Sequence, residues 1–175
     1  MAKDERSPIE GLLALPGFPL VLVTAGRNVM TAAAFSFYAF EPPAVMVGLR
    51  PATWTHDLVA EMGEFGINLL AKDQVAIART CGSASGRDVD KFAAAGLTRQ
   101  PGTVIGSVLV GECPVSLECR VVHRVGYGGT HTWFIGEIVA AHVAEGYERG
   151  DALIFWPREY RAVGRVLLDV ERSGD

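Results

Sequence analysis

Four short segments of this sequence hold the small and polar residues that a nucleotide-like ligand would need. The first is residues 27–33, Arg-Asn-Val-Met-Thr-Ala-Ala, which enters a strand-like apolar run. Small residues there let a flat ligand approach the backbone, whose N–H and C=O groups can bond the polar edge of that ligand. A strand packed closely against its neighbour would also use alanine. The residue types alone slightly favour that structural interpretation.

The second segment, residues 50–57, places Arg50, Thr53 and Thr55 directly before a predicted helix over residues 56–62. Free N–H groups at a helix start, together with hydroxyls and a cation, form a natural phosphate site. Thr55 is also a good N-cap residue, and capping occurs at every helix. Phosphate binding and ordinary capping therefore both remain open here.

Residues 85–92 form the third segment, in which a flexible Gly86 is followed by Arg87, Lys91 and Phe92. Two cations on such a loop could cover a phosphate or a ring. The alternative is a solvated helix start with salt bridges, and we expect Phe92 to lie in the core. For Arg87 and Lys91 the two interpretations are equally weighted.

The fourth segment, residues 128–137, carries a glycine pair before His131. The pair allows a sharp turn that leaves the imidazole at the end of a strand, where ligands often bind. An exposed histidine in a hairpin turn is the alternative. His123 and His142 lie inside strand patterns, and we expect structural roles for both.

Other nucleotide and metal motifs are missing from the sequence. It has no G-x-G-x-x-G, no G-x-x-x-x-G-K-[ST] and no H-E-x-x-H. Its three cysteines are odd in number and lack C-x-x-C spacing, so we expect neither a disulfide framework nor a metal site.

Strand-like runs dominate the chain, and the predicted helices are short. Residues 114–125 give the clearest period-two alternation, and the turn at 126–130 joins them to residues 132–143 as a long antiparallel hairpin. Such a pattern predicts a mostly β fold, an antiparallel barrel with peripheral helices, and not a doubly wound sheet. The other predicted strands are 20–24, 30–40, 44–49 and 65–70, and the predicted helices are 56–62 after Thr55, 74–80 after Asp73, and 89–95 before Gly96.

Composition limits the partners of the protein. A length of 175 residues fits one domain. We expect this domain to span residues 8–170, with polar and disordered tails at 1–7 and 171–175. An apolar fraction of 49% and a mean hydropathy of +0.23 are high for a small monomer, so we expect a homodimer. A net charge of −4 without a basic block argues against nucleic acid. Interrupted apolar runs and no signal-peptide core argue against a membrane and predict a cytoplasmic protein.

The order of five motifs along the chain resembles that of the flavin reductase-like family, from about residue 15 to residue 166. No single motif is decisive. The motifs are Asn28-x-Met30-Thr31-Ala32, then Glu41-Pro42-Pro43, then Thr55-His56, then Gly-Arg-Asp-Val-Asp-Lys-Phe at 86–92, and His-Thr-Trp-Phe-Ile-Gly-Glu at 131–137.

This resemblance implies a Greek-key split β-barrel that binds flavin mononucleotide (FMN) in a cleft shared by two subunits. It implies that Asn28 lies near FMN and that Met30, Thr31 and Ala32 make backbone contacts to the isoalloxazine. The residues that it implies near the ribityl phosphate are Arg50, Thr53, Thr55, Asn68, Arg87 and Lys91. His131 matches a catalytic-site histidine beside the nicotinamide, although Thr130 stands here where many members have Asp.

The implied activity is that of an NAD(P)H-dependent FMN oxidoreductase, with NADH or NADPH as co-substrate and hydride transfer to flavin N5. A flavin-dependent monooxygenase or another electron acceptor is the implied partner. Two alternatives remain open: an FMN-binding electron carrier, and a non-enzymatic barrel that binds flavin or haem.

Overall fold

The computed structural model describes residues 4–126, 128–156 and 158–164. Most of its regular structure is β, with short helices between the strands. The helices are α1 (Pro8–Leu13), α2 (Trp54–Met62), α3 (Val75–Ser83) and α4 (Lys91–Ala95), and a 3-10 turn occurs at Arg149–Asp151. The strands are β1 (Phe18–Pro19), β2 (Val21–Ala25), β3 (Asn28–Ala32), β4 (Phe35–Ala39), β5 (Ala44–Leu49), β6 (Glu64–Leu69), β7 (Arg99–Gln100), β8 (Leu109–Val110), β9 (Val115–Gly126), β10 (Thr132–Val143), β11 (Leu153–Phe155) and β12 (Tyr160–Ala162).

Seven strands form one antiparallel sheet in the order β3-β2-β6-β9-β10-β5-β4. Its two edge strands, β3 and β4, are consecutive in the chain and are separated only by Ala33 and Ala34. Because so short a link cannot cross a flat sheet of seven strands, the sheet must curl until its edges approach each other. The N–H of Gly48 in β5 donates to the Ala34 carbonyl at 2.7 Å, which ties this corner down. The curled sheet confirms the predicted mostly β, antiparallel barrel.

The sheet buries apolar side chains on both of its faces. Val21 and Val23 of β2 point into the barrel interior, whereas Leu22 joins a second cluster under α3 and α4. This double burial explains why β2 begins with three apolar residues in succession, Val21, Leu22 and Val23. Phe92 is fully buried in the second cluster, as the sequence predicted.

Several element boundaries differ from the sequence prediction. The predicted strand 30–40 is two strands, because the chain changes from one sheet edge to the other at Ala33 and Ala34. Helix α2 begins at Trp54 with Thr53 as its N-cap, so the prediction of Thr55 as N-cap is wrong. Helix α3 follows Gln74 without a side-chain cap, and the predicted cap by Asp73 is wrong as well.

Further differences occur at the smaller helices. Helix α4 begins only at Lys91, capped by Asp90, and ends at Gly96, the predicted C-cap residue, which has a left-handed conformation. Helix α1 was not predicted; Ser7 caps it and forms a capping box with Glu10. The proposed limits of the domain and of its tails stay predictions, and residues 171–175 lie outside the described ranges. Among the helices that the structure describes, none has the length and apolar character to cross a membrane.

A buried carboxylate holds the segment before β8 against the sheet. Both oxygens of Glu118, which is fully buried in β9, accept hydrogen bonds from the backbone N–H groups of Thr103, Val104 and Ile105 at 2.7–2.8 Å. The Thr103 hydroxyl and His142 Nε2 contact the same carboxylate at 2.7 Å. Burial by itself would raise the pKa of Glu118, but these hydrogen bonds outweigh it and lower that pKa to about 2. His142 therefore has the structural role that was expected of it.

Candidate functional site

Strand β3 is an edge of the curled sheet, and β2 is its only partner among the described strands. In an edge strand, every second residue points its N–H and C=O groups away from the sheet, where they can bond a ligand. Helix α2 packs beside this strand on one side through Thr55, and α3 packs on the other side through Ala78. The small residues of 27–33 therefore lie at an accessible edge, as a ligand site requires.

Three adjoining cavities follow β3, and we call them together the β3 trough. The first, of about 820 Å³, is lined by Thr31, Ala33, Arg50, Arg79, Phe155 and Tyr160, among others. The middle one, of about 250 Å³, is lined by residues that include Met30, Thr53, Thr55, Ser83 and Lys91. The third, of about 460 Å³, includes Arg27, Asn28, Trp54 and Arg87 in its wall. Neighbouring cavities share lining residues: Gly82 and Ser83, and then Trp54, Gly86 and Lys91.

The first cavity lies between β3 and an aromatic pair. The Thr31 hydroxyl donates to the Ala78 carbonyl at 2.7 Å, which holds β3 against α3. A Cβ on Gly82 would come within 3.4 Å of Thr31, so a small residue keeps this wall open. Opposite them, the rings of Phe155 and Tyr160 pack with centroids 5.0 Å apart. A flat ligand could therefore contact a strand edge and aromatic faces in the same cavity.

His131 lies next to Arg50, which lines the first cavity, but His131 itself lines none of the three cavities. Thr132 of β10 pairs with Leu49 of β5 in antiparallel register. His131, which precedes Thr132, therefore lies opposite Arg50, which follows Leu49. Burial, and then the nearby Arg50 guanidinium, lower the pKa of His131 from its ordinary value of 6.5, which favours the neutral imidazole. The Thr130 hydroxyl contacts His131 Nδ1 at 2.8 Å. Thr130 thus contacts the ring from the preceding position in the chain.

In the middle cavity, two threonines have different roles. Thr53 caps α2: its hydroxyl donates to the Arg50 carbonyl at 2.8 Å and accepts from the His56 N–H at 3.4 Å. Thr55 is 1% exposed, and its hydroxyl accepts a hydrogen bond from Asn28 Nδ2 at 2.8 Å. Thr55 and Asn28 therefore link α2 to β3 and position the strand.

Lys91 is the buried cation of the middle cavity. Only 4% of the residue is exposed, and its ammonium donates to the Cys81 carbonyl at 3.2 Å, its one hydrogen-bond partner in the described ranges. An ammonium group has three donors, so two remain available. Burial lowers the pKa of Lys91. An anion at this point would satisfy the free donors and compensate for the lost hydration.

The third cavity is rich in charged side chains. Arg87 pairs with Asp57 at 2.8 Å, and Arg99 pairs with Asp90 at 2.5 Å while lying over the Phe92 ring at 4.4 Å. A Cβ on Gly86 would come within 1.9 Å of Asn28 Oδ1, so only glycine allows the loop to approach β3 this closely.

Most of the predicted site residues come together in the β3 trough. Those that line it are Asn28, Met30, Thr31, Arg50, Thr53, Thr55, Arg87 and Lys91. Ala32 is buried in β3 and lines none of the three cavities, although its neighbours Thr31 and Ala33 both line the first one. Within the described ranges no three His, Cys, Asp or Glu side chains are arranged to hold a metal ion.

Asn68 lies elsewhere, contrary to the sequence prediction. It is fully buried inside the sheet, where its Nδ2 donates to the Leu22 carbonyl at 3.1 Å and its Oδ1 accepts from the Val110 N–H at 2.9 Å and the Ser116 hydroxyl at 2.8 Å. Its amide is occupied by the fold, and Asn68 lines none of the three cavities.

Sequence reasoning missed Arg79, Trp54, Ser83, Phe155 and Tyr160, which also line the trough. The small-residue run at 82–86 was a usable signal for a ligand-covering loop. No local signal marked the two aromatic residues, because they reach the cavity from strands far along the chain.

Comparison with known proteins agrees with this geometry. Residues 16–164 match the model of the flavin reductase like domain. The chain belongs to the flavin reductase-like family. It is 30% identical to the FMN reductase (NADH) RutF of Stutzerimonas stutzeri over 161 residues, which are 92% of this chain and 88% of that protein.

Two further relatives differ in their described roles. The chain is 31% identical over 116 residues to the reductase component of the FADH(2)-dependent resorcinol hydroxylase of a Rhizobium species, covering 66% of this chain and 62% of that protein. The solved structure of the flavoredoxin of Desulfovibrio vulgaris is 35% identical, covers all of both chains and has a TM-score of 0.85.

Proposed function

We propose that this protein is an NAD(P)H-dependent FMN oxidoreductase that binds FMN along the β3 trough. The observation that carries the proposal is the combination of a free strand edge, an aromatic-walled cavity and a buried, incompletely bonded Lys91 in one continuous trough. These features match the three parts of FMN: a flat ring with a polar edge, a ribityl chain and a phosphate.

The chain's own residues bind and orient the cofactor in this proposal. Backbone groups of Met30, Thr31 and Ala32 bond the polar edge of the ring in the first cavity. Lys91 and the N-terminus of α2 at Thr53 hold the phosphate in the middle cavity. Thr55 and Asn28 act indirectly by fixing β3 against α2.

When bound, the flavin supplies the chemistry by accepting a hydride from the reduced nicotinamide at N5. The protein's task is to hold the two rings in near contact, with the reacting atoms about 3–3.5 Å apart. His131 contacts the Thr130 hydroxyl and lies next to Arg50, which lines the first cavity, and in this proposal its ring contacts the nicotinamide. Arg50 and Arg79 line the same cavity as counter-charges for the pyrophosphate of the nicotinamide dinucleotide.

The deciding experiment is a flavin titration followed by turnover. FMN should bind the purified protein with quenching of flavin fluorescence, and NADH or NADPH should then be oxidised in proportion to the flavin added. The full-length likeness to a flavoredoxin favours a second candidate, an FMN-binding electron carrier. Tight FMN binding with no oxidation of either nicotinamide would support the carrier, and failure to bind FMN would reject both functions.

We propose that the protein works as a homodimer. Phe37, Tyr38 and Phe40 are all more than half exposed on and after edge strand β4. Apolar side chains exposed together mark an interaction surface, and a second copy of the chain would bury them. Light scattering at micromolar concentration should give about twice the chain mass of 18.7 kDa. A stable monomer that holds FMN would contradict this.

The acceptor of the reduced flavin is proposed from the relatives. Reductase components of flavin-dependent monooxygenases are among them, and a monooxygenase partner in the cytoplasm is therefore the expected consumer. Adding such a component with its aromatic substrate should couple NADH oxidation to hydroxylation.

A further inference from the structure

Arg99 contacts both chain neighbours of the buried Lys91. Its guanidinium donates to Asp90 Oδ1 at 2.5 Å, and its Cζ lies over the Phe92 ring, 4.4 Å from the ring centroid. A cation within about 6 Å of the centre of an aromatic face is attracted to it. Only 24% of the Arg99 side chain is exposed. One planar, largely buried group therefore holds the residues on either side of the ammonium-bearing residue.

The position of Lys91 depends on these two neighbours. Helix α4 has only 5 residues, and a helix of that length is not stable by itself. Asp90 Oδ1 caps it by accepting from the Phe92 N–H at 3.1 Å and the Ala93 N–H at 3.3 Å. The hydrogen bond from Arg99, and then the one from Ala93, lower the pKa of Asp90, which keeps the cap ionised. The cap and the buried Phe92 ring together fix the start of α4, where Lys91 lies.

Arg99 is itself anchored to the main sheet. In the pairing of β7 with β8, Arg99 lies opposite Val110. The Val110 N–H donates to Asn68 Oδ1 at 2.9 Å, and Asn68 is fully buried in β6. A series of direct contacts thus leads from the sheet through β8 and β7 to the start of α4. Asn68, which lines none of the three cavities, supports this arrangement from behind.

Arg99 is placed to act on Lys91 and not on the phosphate. Lys91 lines the middle cavity, where the proposed function puts the phosphate, whereas Arg99 lines only the third cavity. The guanidinium is also already occupied by Asp90 and Phe92, and its Nε makes a long contact of 3.5 Å with the Arg27 carbonyl.

Resting on the proposed function, we propose that Arg99 is a positioning residue that holds the Lys91 ammonium at the flavin phosphate. It acts through Asp90 and Phe92, one on each side of Lys91. The flavin ring should not depend on it, because β3 is held separately by its pairing with β2 and by the hydrogen bond between Asn28 and Thr55.

The test is a double-mutant cycle on the full chain, in which fluorescence quenching gives the dissociation constants of FMN and riboflavin. Arg99→Met keeps an unbranched side chain over the Phe92 ring. It should weaken FMN about three- to tenfold and riboflavin less than about twofold. In the Lys91→Met background the same change should alter FMN affinity less than about twofold, because the ammonium that Arg99 positions is gone.

Two further variants complete the comparison. Arg99→Lys keeps a cation beside Asp90 without the planar group, so it should retain part of the FMN affinity that Arg99→Met loses. It also carries the same cycle if Arg99→Met does not fold. Lys72→Met is the matched control, since it breaks another ion pair between distant segments, with Asp151, and Lys72 lines none of the three cavities. It should change neither dissociation constant.

Three results would overturn this assignment while leaving the proposed function intact. Unchanged FMN affinity in both Arg99 variants would show that Lys91 is held without Arg99. An equal loss for FMN and riboflavin would make Arg99 a support of the whole fold. A loss of FMN affinity that is as large in the Lys91→Met background would make Arg99 a phosphate ligand. If neither flavin binds the wild-type protein, the proposed function itself falls together with this inference.

Discussion

Replacing Lys91 by methionine should separate ligand binding from stability. The Lys91 ammonium is buried with one hydrogen bond, to the Cys81 carbonyl at 3.2 Å, and two of its donors are left for a phosphate. Methionine has a similar unbranched length and no charge to bury. Lys91→Met should therefore weaken FMN binding without weakening the fold.

The size of the effect follows from the bonds that change. A hydrogen bond between charged groups contributes about 1.5–3 kcal/mol, so the dissociation constant for FMN should rise about 10- to 150-fold. Riboflavin has no phosphate, and its affinity should change less than twofold. The free energy of unfolding of the protein without flavin should stay within about 1 kcal/mol of wild type or rise, because a poorly compensated buried charge is removed.

The pH dependence of stability gives a second measurement. Burial lowers the pKa of Lys91 in the folded state below its ordinary value of 10.5, so the unfolded chain binds more protons in the interval between the two values. The free energy of unfolding then rises with pH through that interval in wild type. In the Lys91→Met protein, the free energy of unfolding should not rise with pH through this interval. The matched variant Lys72→Met removes an exposed ammonium that is paired with Asp151. In this control the rise in the free energy of unfolding should remain.

Fluorescence titration of both flavins and urea unfolding of the flavin-free protein supply the data. The reasoning is refuted if Lys91→Met costs more than about 2 kcal/mol of stability while FMN affinity changes less than threefold. That result would make Lys91 a structural residue. An equal loss of FMN and riboflavin affinity would instead show that the phosphate does not bind at Lys91.

Three further predictions concern other residues of the site and its support. His131→Ala should leave FMN affinity nearly unchanged and slow anaerobic flavin reduction by NADH about five- to thirtyfold in stopped-flow; loss of bound FMN would place His131 in the flavin site. Glu118→Gln should lower the free energy of unfolding by about 2–4 kcal/mol. The wild-type protein should lose stability as pH falls from the ordinary pKa of 4.5 towards 2, and the variant should lose less. The same loss of stability with falling pH in both proteins would disprove the role of this carboxylate. Thr55→Val should leave the Asn28 amide without its acceptor and cost about 1–3 kcal/mol of stability. It should weaken the binding of FMN and of riboflavin equally. Weaker binding of FMN alone would show that the Thr55 hydroxyl contacts the phosphate.

Local pattern in the sequence determined the strands and the order of the motifs. The hairpin strand at 132–143 has the predicted bounds, and its partner β9 is displaced by one residue from the prediction. Apolar alternation and turn residues act over a few positions, so they are readable without knowing what packs against them. Phe92 in the core and Gly96 as the C-cap of α4 were predictable for the same reason.

Only the tertiary structure decided which segments meet. The split of residues 30–40 into β3 and β4 depends on the closure of a seven-stranded sheet, which no local window contains. Asn68 points into the sheet because Leu22, Val110 and Ser116 surround it there, each more than 40 residues away in sequence. Phe155 and Tyr160 line the first cavity for a similar reason. A strand pattern shows that side chains alternate, but the distant segments that cover each face determine which side chains reach the ligand.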